Sequence, residues 1–145
     1  MRTYVTFRYP TEFDSATDAA GILAVSGVQW FVELLRRVAD LQIDDVDEHC
    51  QQDWGVVLYA RREDKKFWIG LSIWEGEHSW LSHFHHDSFF AWLQRLSSSG
   101  KRELQRVLCD FHAVLASEPA VSEIVWYEEK EIRKARPAGF PTPGE

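Results

Sequence analysis

The run His83-Phe84-His85-His86-Asp87 holds the densest set of potential metal ligands in the 145-residue chain. On a β-strand, side chains alternate between faces, so His83 and His85 point the same way with ring nitrogens near enough to share a zinc or iron ion. A working centre needs three or four convergent ligands and groups that orient them. The third ligand would come from His86, Asp87, His78 or the His49–Cys50 pair. The plainer reading makes His83 and His85 polar positions on a half-exposed strand face, with Trp80 and Phe84 on the other face. That reading implies no cofactor, and the metal set His83, His85 and His86 stands as its alternative.

Nucleophilic catalysis by Cys50 beside His49 has poor geometry, because sequence neighbours on an extended chain point to opposite faces. The surrounding carboxylates also raise a thiol's pKa. Cys109 lies next to an apolar helical stripe and reads as a semi-buried small hydrophobe. From Asp40 to Asp53 the chain carries Asp40, Asp44, Asp45, Asp47, Glu48 and Asp53 with no lysine or arginine, close to the whole formal excess of −7. The alternating ligands, central glycine and distal glutamate of a calcium loop are absent from this stretch. Gly-rich phosphate loops, serine nucleophile elbows and Cys-x-x-Cys motifs are absent as well. The chain therefore reads as a non-enzyme. A concentrated acidic segment attracts a cationic partner, although such runs also serve simply as solvated connectors.

The elements that must position these residues follow from periodicity. Residues 3–9 alternate, with Val5, Phe7 and Tyr9 opposite Tyr4, Thr6 and Arg8, which is a half-buried strand ended by Pro10. Ser26 and Gln29 have capping-box spacing ahead of a helix that buries Trp30, Leu34, Val38 and Leu41, widened by Phe31 and Leu35. Residues 54–60 and 67–74 are strands joined by the polar Arg61–Lys66 connection, and 79–85 completes a meander. The 67–74 strand carries large apolar groups on both faces, which makes it central. Ser88 caps a short helix through Leu96, and Ser98 or Ser99 caps a longer one with Leu104, Val107, Leu108, Phe111 and Leu115 in its stripe. Residues 121–127 form the last strand. The order β-α-β-β-β-α-α-β is an α+β fold, a mostly antiparallel sheet of about five strands with helices packed on it. Residues 1–128 form one globular domain, and 129–145 a charged, then Pro/Gly-rich tail, partly disordered.

Composition narrows the function classes. An apolar share of 45% with seven Trp, nine Phe and four Tyr is core-forming material, unlike a disordered chain. No apolar run reaches the roughly 20 residues that span a bilayer, so no membrane partner is expected. Two distant cysteines give no disulfide framework, which points to a reducing cytoplasm. A net charge of −7 argues against direct nucleic-acid binding, which needs a basic face. Trp30, Trp54, Trp68, Trp80 and Trp126 sit at core-like positions. Trp74, beside Glu75 and Glu77, and Trp92 are the expected exposed ones.

The acidic segment Asp44–Asp53 running into Asp53-Trp-Gly-Val-Val-Leu-Tyr59, within a compact α+β layout, resembles the bacterial toxin-immunity proteins of contact-dependent inhibition or type VI secretion. The resemblance implies a one-to-one complex, by a monomer or homodimer, that occludes the active site of a cognate, basic, nuclease-like toxin. Charge would come from Asp44, Asp45, Asp47, Glu48 and Asp53, with Trp74, Glu75 and Glu77 at a second edge. In physical terms, carboxylates standing where substrate phosphates bind speed encounter, and apolar anchors set the off-rate.

Overall fold

The computed structural model describes residues 1–10, 28–44, 51–52, 54–74, 79–87 and 98–144. The expected Ser26 cap and the short helix over 88–96 lie outside these residues. The described elements are β1 (Arg2–Arg8), α1 (Gln29–Arg36), β2 (Gln42–Ile43), β3 (Gln51–Gln52), β4 (Gly55–Arg62), β5 (Lys65–Trp74), β6 (Ser79–Asp87), α2 (Ser98–Ser117), β7 (Ser122–Glu128) and α3 (Glu129–Ile132). Every strand pairing among them is antiparallel. The sheet runs β2-β4-β5-β6-β1-β7, and β3 also pairs with β4. The α+β reading is therefore correct, with two short strands added along the outer side of β4.

The period-2 pattern sets which face meets the helices. Val56, Leu58 and Ala60 on β4, Phe67, Ile69 and Leu71 on β5, Trp80 and Phe84 on β6, and Val5 and Phe7 on β1 are all buried on one face. Against it lie Phe31, Val32, Leu34 and Leu35 of α1 and Leu104, Val107, Leu108, Phe111 and Leu115 of α2. Phe111 joins the layers, its ring 5.1 Å from Phe84 and 5.9 Å from Phe31. Each such large side chain, fully buried, contributes about 1.5–3 kcal/mol. Val38 and Leu41 are buried as expected but follow α1, which stops at Arg36; Asp40 turns the chain with a φ of 59°. Trp30 is only partly buried and stacks on Tyr9 at 4.4 Å. Arg37 ties the end of α1 to the end of α2, bonding Glu118 Oε2 at 2.6 Å and Ser117 Oγ at 3.2 Å.

Two neighbouring arginines of β4 show the alternation in charged form. Arg62, on the helix side, is 14% exposed and bridges Glu103, 9% exposed, and Asp110 of α2 at 3.1 and 2.7 Å. Arg61 points to the other side and pairs with Asp44 at 3.2 Å, both well exposed. Cys109 is exposed rather than semi-buried, because it lies one position, about 100°, beyond Leu108 on the helix. The C-terminal residues run back along β7. Phe140 and Trp126 exchange backbone hydrogen bonds of 2.8 and 2.7 Å, the Arg2 guanidinium lies 3.7 Å over the Phe140 ring, and Gln105 donates to the Gly144 carbonyl at 2.6 Å.

Candidate functional site

The face of the sheet turned away from α1 and α2 carries a cluster of rings beside the aliphatic Val57 and Leu81. Strand register lines up Tyr59, Trp68 and His85 as one row across β4, β5 and β6. The next row holds Val57, Gly70, His83 and Tyr4 across β4, β5, β6 and β1. Trp54, in the turn before β4, brings its ring to 5.1 Å from His83. Six rings thus form one array from residues far apart in sequence.

Its local geometry depends on glycine. A Cβ at position 70 would collide with Nε2 and Cε1 of His83, so only a glycine lets this imidazole lie down against β5. Gly55 has a similar role, since a Cβ there would strike the Leu71 carbonyl oxygen. His83 is then surrounded by Trp54, Trp68 at 5.3 Å, Tyr4 at 5.4 Å and His85 at 5.5 Å. His85 stacks on Trp68 with centroids 4.1 Å apart and planes only 9° from parallel. Trp54 and Tyr59 are the open parts of the array, 47% and 45% exposed.

Burial controls the charge of this face. It removes water from His83 and, with His85 beside it, pushes the imidazole down to about pKa 4. Burial lowers His85 as well, partly offset by the carboxylate of Glu129. Tyr4 is raised, first by burial and then by Glu129. At neutral pH the array is therefore uncharged. Among the described residues Arg61, held by Asp44, and Lys66 flank it toward the β4–β5 turn, and Arg133, paired with Glu129, acts on Tyr4.

The structure brings His83 and His85 together on one face, as the alternation requires. It separates His86, which lies on the helix face, edge-on to Phe67 at 5.6 Å and against Gly100 of α2. The strand pleat thus sends His86 to the side opposite His83 and His85, while the third-ligand candidates His49, Cys50 and His78 lie outside the described residues. His83 is also badly disposed as a ligand. Its Nε2 faces Gly70, and its Nδ1 is buried with no hydrogen-bond partner among the described residues. Among the described residues no group of three His, Cys, Asp or Glu could hold a metal ion.

Of the acidic binding residues, Asp44 is placed, at the edge beside Arg61. Asp45, Asp47, Glu48, Asp53, Glu75 and Glu77 lie outside the described residues. Trp74 is partly buried at the end of β5, on the same face as Trp68. The expectation of a core Trp54 is overturned, since the residue stands in a turn before the strand begins. Sequence reasoning missed Tyr4, Tyr59, Trp68 and Gly70 as members of one site. The available signal was the alternation of Trp68, Gly70, Ser72 and Trp74 opposite a complete apolar stripe.

No family model, characterised protein or solved structure matches the chain. No helix among the described residues is long and apolar enough to cross a membrane.

Proposed function

We propose that this protein acts by binding, as an immunity-type inhibitor that covers a basic surface of a cognate toxin. The observation that carries the reading is the ring array on the face of the sheet turned away from α1 and α2, with Trp54 and Tyr59 about half exposed. Tyrosine and tryptophan anchors dominate protein interfaces because they bury much area at small entropic cost. The acidic stretch runs in sequence directly into this array, Asp53 preceding Trp54, and Asp44 stands at its edge. Carboxylates of Asp44, Asp45, Asp47, Glu48 and Asp53 steer a cationic partner, and the rings slow its departure. Trp74, at the end of β5, and Glu75 and Glu77, which follow it in sequence, are assigned to the same partner.

A nuclease-like toxin suits this charge, because a surface built for phosphates accepts carboxylates in their place. Affinity capture with the product of the neighbouring gene tests the reading. A one-to-one complex is expected, weakened about tenfold or more when the five carboxylates are changed to amides, and weakened again at high salt. Binding indifferent to both changes sinks it.

A further inference from the structure

We propose that the ring array is an arginine-stacking platform, on which guanidinium groups of the partner lie against the exposed rings of Trp54 and Tyr59 beside the Trp68–His85 stack. The inference rests on the reading of a basic protein partner and names what that partner must present. Three observations lead to it. Of the exposed rings, Tyr59 is the cross-strand neighbour of Trp68 in the Trp68–His85 stack, and Trp54 lies against the adjoining His83. Their π faces attract cations, and within a basic protein's repertoire the planar, weakly hydrated guanidinium stacks on rings far better than an ammonium does.

The second observation is charge. The middle of the array holds two imidazoles that burial keeps neutral, so a cation placed there meets no repulsion. The described cations around the array are paired or stand at its margin: Arg61 is held by Asp44, Lys66 lies opposite it across the turn, Arg8 pairs with Glu123, and Arg133 pairs with Glu129. At the other side Glu129, paired with Arg133 at 2.6 Å, adds negative potential felt at His85 and at Tyr4, where Arg133 offsets part of it. The third is proximity in sequence. Trp54 directly follows an acidic segment whose carboxylates match the two-pronged hydrogen bonding of a stacked guanidinium. Charge alone would serve lysine equally well, and the rings break the tie.

Hexa-arginine and hexa-lysine peptides, equal in charge, separate stacking from simple attraction. Titrated into the intact protein at fixed salt, hexa-arginine should bind at least about fivefold more tightly. The preference should vanish in Trp54→Ala, shrink in Tyr59→Ala and survive in Trp54→Phe, with thermal melts lowered by no more than about 5 °C because both residues are half exposed. Equal affinity for the two peptides overturns the platform, as does an arginine preference that persists in Trp54→Ala. The peptides address the platform without any toxin. A toxin that binds wild type and Trp54→Ala equally well overturns this inference and leaves the inhibitor reading standing.

Discussion

Phe67, Ile69 and Leu71 project from one side of β5, and Trp68, Gly70 and Ser72 from the other. The first set is sealed by helices and fills space with aliphatic and aromatic carbon. The second carries a ring stack, a gap and a hydroxyl, and its neighbours across the strands are His83, His85 and Tyr59. A face needed only for folding does not require imidazoles laid over a glycine. On the proposed reading the same strands do two jobs, with stability on one side and recognition on the other. Mutations on the two sides should then differ in kind.

The largest expected effect comes from the helix side. Phe111→Ala removes a fully buried ring that touches both Phe31 and Phe84, and should cost about 3–5 kcal/mol in denaturant unfolding. Trp54→Ala, on the other side, should cost under about 1 kcal/mol while removing arginine selectivity. Similar losses from the two would abolish the distinction between the faces.

The arginine neighbours give a second version of the same contrast. Arg62→Met leaves the buried Glu103 carboxylate with Arg106 alone, at 3.3 Å, and should destabilise by about 3 kcal/mol. Arg61→Met breaks an exposed pair with Asp44 and should change stability by less than about 0.5 kcal/mol. Paired melts of the two variants decide the matter. A costly Arg61→Met would show that the ring face also contributes to folding.

Acid sharpens the comparison because the ring face holds the strongly perturbed histidine. An imidazole that binds its proton less readily when folded opposes folding once the unfolded chain begins to protonate. Stability should therefore fall as pH drops below about 6.5 and level off below about 4, the folded value of His83. Between pH 7 and 5 the loss from His83 should reach about 2 kcal/mol, and His83→Gln should remove most of it. His85 and His112, also lowered by burial, act in the same direction. Glu118, Glu128, Glu131 and Asp64, held low by Arg37, Lys130, Lys134 and Lys65, contribute above the ordinary carboxylate range and lose that contribution only in stronger acid. A flat profile from pH 7 to 5 would show that water reaches His83 after all.

Local pattern carried most of the fold. The alternations over 3–9, 67–74 and 79–85 located their strands to within two residues, and the stripe from Leu104 to Leu115 located α2. Trp54 misled because it opens an apolar run whose pleat begins only at Gly55. The site was much less legible, since it is made by register. Tyr4, Trp54, Gly70 and His83 meet only once three pairings are fixed, and no window of sequence contains more than two of them. His83 and His85 were singled out for chemistry from their spacing alone. Their neutral, ring-enclosed setting depends on residues from three other stretches of chain.

Gly70 is where register and chemistry meet, which makes Gly70→Ala the most pointed of the smaller tests. The added methyl would occupy the space of the His83 ring edge, and β5 cannot move it away without disturbing pairings on both sides. The imidazole must swing outward instead, losing its contacts with Trp54 and Trp68. Because a side chain can yield where backbone cannot, the cost should fall near the low end for overpacking, about 1 kcal/mol. Freed from burial, His83 should titrate closer to an ordinary histidine, and the acid sensitivity between pH 7 and 5 should shrink with it. Histidine titration by NMR beside a pH series of melts reads both effects. A Gly70→Ala protein whose His83 still titrates near 4 would mean that the glycine does not set the imidazole's position, and the array would lose its floor.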